Sequence, residues 1–132
     1  MTRAGGKRRV LVVDDASNLR ELLTLLLDTE DDFEVVDTAS NGAQALASAE
    51  QFRPDIVLLD LAMPVMDGLK ALPGLRSRLP EACIVIFTAF DQRELVDEAL
   101  KLGADAYLEK GASVTSLVAL IREATDRKAS GA

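Results

Sequence analysis

Histidine is absent from all 132 residues. With it go Ser-His-Asp and Cys-His catalysis, and any phosphohistidine carried by the chain itself. The one cysteine, Cys83, excludes an internal disulfide framework and a Cys-rich metal site. It heads an apolar run and so reads as a buried structural thiol. Positive charge is in deficit: 15 basic against 22 acidic residues leave a net charge of −7, which argues against a nucleic-acid surface. No apolar run is long enough to span a bilayer. Arg3, Lys7, Arg8 and Arg9 are followed by only four apolar residues before Asp14, which is no signal peptide. A soluble, cytoplasmic protein is expected. Repeats and low-complexity segments are also missing.

What remains is enough for one domain with a real core: 48% of the residues are hydrophobic. Residues 1–7 read as a flexible tail, 8–126 as the folded unit and 127–132 as a tail or the start of a linker. Short apolar runs rich in β-branched residues occur at Val10–Val13, Ile56–Leu59 and Ile84–Thr88. Each is expected to be a strand buried on both faces. Glu34–Ala39 alternates more, as an edge strand does, and Ala106–Leu108 forms a fifth strand.

Helical spacing separates the strands. Leu19, Leu22, Leu23, Leu26 and Leu27 mark the first helix, capped by Asn18 with Glu21 or by Ser17. Asn41-Gly42 opens a second, ended by Arg53-Pro54-Asp55. A third spans about Leu69–Leu79, and Pro73 inside it predicts either a kink there or, the preferred reading, a late start at the proline. Asp91 with Glu94 forms a capping box for a fourth, which ends at Gly103. Ser113 or Thr115 caps the last. Five alternations with short connections imply a parallel α/β sheet with helices on both faces.

Right-handed crossovers bring the strands' carboxyl ends to one rim, where such sheets keep their ligand crevice. Asp14 and Asp15, Asp60, Thr88 and Lys110 stand at those ends. A lone Asp there is usually a turn residue and a lone Lys usually surface. Acids, a hydroxyl and a base at four of five ends are not explained that way.

The chain resembles the receiver domains of two-component response regulators from about Arg8 to Thr125. The motifs are Asp14-Asp15, Asp60 with Met63-Pro64 and Met66-Asp67-Gly68, Thr88-Ala89, and Gly103-Ala104-Asp105-Ala106-Tyr107 leading to Lys110. The resemblance implies a flavodoxin-like (βα)5 doubly wound fold with strand order 2-1-3-4-5. It implies that Asp60 takes a phosphoryl group from a partner histidine kinase or phosphotransfer protein. Asp14, Asp15, Asp60 and the backbone carbonyl of Ala62 would hold Mg²⁺ (or Mn²⁺). Lys110 and Thr88 would bind phosphoryl oxygens, and Thr88 with Tyr107 would form the switch. A downstream protein target or an output domain outside these residues would read it.

The chemistry of the residues agrees. A carboxylate nucleophile is ionised near neutral pH and needs no histidine base. Phosphoryl transfer asks chiefly for positioning and charge neutralisation, and Mg²⁺ prefers oxygen ligands. Gly111 replaces the proline that usually follows the lysine, so a trans bond is expected there. The same resemblance implies that Ala62 and Phe90 flank the path of the water that hydrolyses the acyl phosphate. Three rivals are weaker. A flavin carrier would meet repulsion from Asp14-Asp15, an aspartate-nucleophile phosphatase would need an acid where Ala62 stands, and a degenerate docking module would not need the complete acid, hydroxyl and lysine set.

Overall fold

The computed structural model describes residues 6–130, apart from the side chains of Phe90 and Arg93. Five parallel strands form one sheet in the order β2-β1-β3-β4-β5. They are β1 (Arg8–Val13), β2 (Phe33–Ala39), β3 (Ile56–Leu59), β4 (Cys83–Thr88) and β5 (Ala106–Glu109). The order 2-1-3-4-5 expected of a flavodoxin-like fold is the one found.

Because side chains alternate along a strand, each central strand feeds two cores. Leu11, Val13, Val57, Leu59, Ile84 and Ile86 face α2 (Gly42–Phe52), α3 (Gly68–Arg78) and α4 (Val96–Lys101), meeting Ala45, Ala49, Leu72, Leu75 and Ala99. Val10, Val12, Ile56, Leu58, Cys83 and Val85 face α1 (Ser17–Asp28) and α5 (Val114–Ala129), meeting Leu23, Leu27, Leu117 and Ile121. Each fully buried aliphatic contributes about 1.5–3 kcal/mol. The edge strand β2 is only partly buried, and its register to β1 slips between Val10 and Leu11.

Three expectations about helix starts are corrected. α1 begins at Ser17 with Ala16 as its N-cap, and neither Ser17 nor Asn18 caps it. Asp14 does the work from upstream: its Oδ1 accepts from the Ala16 N–H at 2.9 Å. Asn18 bonds only the next amide, Leu19 N–H, at 3.0 Å. α3 does not wait for Pro73. It starts at Gly68 under an N-cap from Asp67, whose Oδ1 accepts from Lys70 N–H at 2.8 Å, and Pro73 lies inside it. The proline forfeits one bond to the carbonyl four residues back, while burial of Ala71, Leu72 and Leu75 holds the turn it interrupts. Asp91 and Glu94 form no capping box: Phe90–Leu95 is a 3-10 helix, and α4 follows with no side-chain cap. Gln92 N–H bonds the Ala89 carbonyl at 3.0 Å, the tight i to i+3 pattern that takes the cap's place.

The other caps are as expected. Asn41 caps α2 and Ser113 caps α5. α5 continues to Ala129, beyond the point where its apolar pattern fades. No cis peptide bond occurs among the described residues, so Lys110-Gly111 is trans. Residues 1–5 of the expected N-terminal tail and residues 131–132 lie outside the described residues. No helix among those described is long and apolar enough to cross a membrane.

Candidate phosphoryl and metal site

The parallel register delivers the candidate residues to one rim. Val13 pairs with Leu59, so Asp14 and Asp60 leave the sheet side by side, and Asp60 N–H bonds the Val13 carbonyl at 3.0 Å. Thr88 pairs with Glu109 on β5, and Lys110 N–H bonds the Thr88 carbonyl at 2.7 Å. Asp60 is held against the start of α3 by a glycine. A Cβ on Gly68 would lie 1.9 Å from the Asp60 carbonyl oxygen, so no side chain is possible there. The Gly68 N–H bonds the Leu61 carbonyl at 3.0 Å, closing the loop.

Asp14 and Asp60 are buried, 2% and 3% exposed, while Asp15 is exposed. One carboxylate oxygen from each of the three lies within 4.8 Å of the others. Lys110 reaches into the group: its Nζ lies 2.7 Å from Asp14 Oδ2 and 3.3 Å from Asp60 Oδ2. Asp60 Oδ1 accepts from Ala62 N–H at 3.3 Å, a weak bond. Burial, and next the charge of Asp14, push the Asp60 carboxyl up to about 6, with Lys110 opposing. Burial works against the Lys110 ammonium, but the bonds and charges of Asp14 and Asp60 outweigh it and raise its pKa.

Thr88 is fully buried, and its Oγ1 has no hydrogen-bond partner among the described residues. An unsatisfied buried hydroxyl costs about 1–3 kcal/mol. Tyr107 lies on β5 opposite Ile86 and is 47% exposed, outside the core. Ala62 is exposed on the β3–α3 loop, and the side chain of Phe90 lies outside the described residues. The structure thus gathers Asp14, Asp15, Asp60 and Lys110, places Thr88 beside Lys110 in register, and leaves Tyr107 turned toward solvent.

The donor set suits a hard divalent cation. Three carboxylates with one amine counter-charge leave a surplus of negative charge and only oxygen ligands. At an effective dielectric of about 20, like charges 4 Å apart repel by about 4 kcal/mol, which a cation would relieve.

Two site features escape the sequence patterns. Asp67 is the N-cap that starts α3. Arg20 donates from Nη1 to the Asp14 carbonyl at 2.7 Å. A cation in the first turn of a helix opposes the helix dipole, and that anomaly is the signal by which Arg20 could have been found.

Comparison with known proteins agrees with this geometry. The family described as response regulator receiver domain matches residues 10–122. A protein-glutamate methylesterase/protein-glutamine glutaminase of Caldanaerobacter subterraneus is 43% identical over 112 residues, 84% of this chain and 30% of that protein. The chemotaxis protein CheY of Halobacterium salinarum is 37% identical over 103 residues, 78% of this chain and 84% of that one. The chain spans about half of the Bacillus subtilis regulatory proteins LnrK and YdfI. Among solved structures, a CheY-like receiver domain protein from Methanospirillum hungatei aligns with a TM-score of 0.88 at 26% identity, covering 96% of this chain and all of that one.

Proposed function

Since the chain belongs to the response regulator receiver family, we propose that it is a phosphorylation-controlled signalling switch with Asp60 as phosphoacceptor. Residues 8–126 form the receiver unit, acting in the cytoplasm. The observation that carries the reading is the acidic pocket itself: Asp60 is buried within reach of Asp14, Asp15 and Lys110, with the unpartnered Thr88 hydroxyl on the neighbouring strand.

The donor is the phosphohistidine of a histidine kinase or phosphotransfer protein. An Asp60 carboxylate oxygen attacks the phosphorus, the O–P bond forms as the P–N bond breaks, and the donor imidazole leaves with the electron pair. A pKa near 6 leaves Asp60 mostly ionised at neutral pH, so no general base is needed. Asp15, Asp14, Asp60 and the Ala62 carbonyl would hold Mg²⁺ or Mn²⁺. When bound, the cation neutralises the charge gathered on the phosphoryl oxygens and the acids. Lys110 gives up its bond to Asp60 and pairs with a phosphoryl oxygen. The Thr88 hydroxyl donates to another, which satisfies its buried oxygen and draws β4 and the segment after it toward the site. Tyr107, half exposed on β5, moves into the space this leaves and changes the face formed by α4, β5 and α5. A downstream protein or an attached output domain reads that face.

Incubation with acetyl phosphate and Mg²⁺ tests this. The intact mass should rise by one phosphoryl group, with an alkali-labile, acid-stable bond, and Asp60→Asn should abolish the rise. Persistence of the adduct in that variant would place the nucleophile elsewhere.

A further inference from the structure

Asp14 and Asp15 are held very differently. Asp14 is gripped at four points: N–H to the Ala39 carbonyl at 3.0 Å, Oδ1 from Ala16 N–H at 2.9 Å, Oδ2 from Lys110 at 2.7 Å and its carbonyl from Arg20 at 2.7 Å. The Asp15 carboxylate is exposed and takes no hydrogen bond or ion pair among the described residues. Its direction is therefore set by the backbone that carries it.

That backbone is held on both sides: after Asp15 the Ala16 N–H is bonded to Asp14 Oδ1, and before it the Asp14 carbonyl is bonded to Arg20. The Asp14 carbonyl and the Asp15 nitrogen belong to the same planar peptide unit, so fixing the carbonyl oxygen fixes the plane from which Asp15 departs. Arg20 Nη1 supplies the fixing bond, and it is charge-assisted. The arginine sits in the first turn of α1, where the helix's own N-terminal charge disfavours a cation. We propose that Arg20 is a positioning residue that aims Asp15 into the pocket and so raises its affinity for a divalent cation. This rests on the metal-holding role proposed above for Asp15.

Two readouts test it. In the metal-free protein, Arg20→Met should lower the order parameter of the Asp15 amide while leaving that of Asp60 unchanged. In Mg²⁺ titrations by calorimetry, the same variant should bind about tenfold more weakly, a difference of about 1.4 kcal/mol. Arg20→Lys, which keeps a cationic donor, should recover most of the loss. If Arg20→Met does not fold, Arg20→Gln serves, with the same two losses expected. Native Mg²⁺ affinity with only a lowered melting temperature would show a purely structural arginine and overturn the proposal, as would an unmoved Asp15 amide. Failure of the native chain to bind Mg²⁺ would overturn the metal pocket, while the amide measurement would still decide whether Arg20 holds Asp15.

Discussion

Asp60 and Asp105 are both aspartates at the ends of strands, on opposite rims of one sheet. Asp105 precedes β5 and is saturated. Its Oδ2 accepts from Arg76 Nη2 at 2.7 Å and from Ile84 N–H at 2.8 Å, and its Oδ1 accepts from Lys128 at 3.0 Å. Arg76 in turn ties the Gly103 and Ala82 carbonyls, so α3, α4, β4 and α5 are joined at one carboxylate. Asp60 follows β3, and among the described residues its carboxylate has only two long contacts, Ala62 N–H and a Lys110 that Asp14 holds more closely, both at 3.3 Å. One rim is closed electrostatically. The other carries uncompensated negative charge and a hydroxyl unpartnered among the described residues, the two features on which the proposed cation and phosphoryl site rests.

Substitutions at the two rims should therefore have opposite signs. Asp105→Ala strands a guanidinium, an ammonium and a backbone N–H. It should cost about 3 kcal/mol in urea unfolding, the largest effect here. A cost below about 1 kcal/mol would deny the closed rim its structural role. Asp60→Asn should instead stabilise the metal-free protein at pH 8, by about 2 kcal/mol, because it removes a charge from a crowded pocket.

The pH dependence sharpens the point. The Asp60 carboxyl is raised from 3.8 to about 6, so the folded state binds its proton more tightly than the unfolded state does. Its contribution to stability is fully present below about pH 4 and is lost as pH rises through about 6. Metal-free native protein should lose up to about 2–3 kcal/mol from this group across that window, and Asp60→Asn should lack that share of the slope. Parallel melting curves for the two would contradict the pKa assignment. Thr88→Val, which removes the unpartnered hydroxyl at nearly constant shape, should gain about 1 kcal/mol of stability while weakening the response of the α4–β5–α5 face to phosphorylation. Denaturant midpoints and amide spectra with a beryllofluoride mimic would check the two halves. Smallest is Val65→Gly. Val65 is 86% exposed with φ +67°, and relief of that backbone should gain about 0.5 kcal/mol after the unfolded-state entropy is counted.

The same contrast explains what could be read from the amino-acid order. The open rim was legible because each of its residues ends a strand whose apolar run is unmistakable, and parallel pairing does the rest: Asp14 after Val13, Asp60 after Leu59, Thr88 closing β4. The closed rim was not. Arg76 and Asp105 are 29 residues apart, and nothing local marks either as the other's partner. Helix starts failed for a similar reason. Ser17 and Asn18 have cap chemistry, but Asp14 holds the Ala16 amide and the chain turns helical directly after it, so both residues lie inside the helix instead of at its cap position. Pro73 reads as a breaker by its covalent chemistry, yet the buried face of α3 outweighs one missing bond. Asp91 and Glu94 have cap spacing, but the chain leaving Thr88 turns too tightly for an α-helical first turn.

The most direct test of the open rim is chemical. After reaction with acetyl phosphate and Mg²⁺, borohydride reduces an aspartyl phosphate to homoserine, and peptide mapping locates it. Asp60 should be the position converted, with conversion lost when Mg²⁺ is chelated and retained in Asp105→Asn. Conversion at Asp14 or Asp15, or equal conversion without metal, would contradict the assignment of Asp60 as the metal-dependent phosphoacceptor.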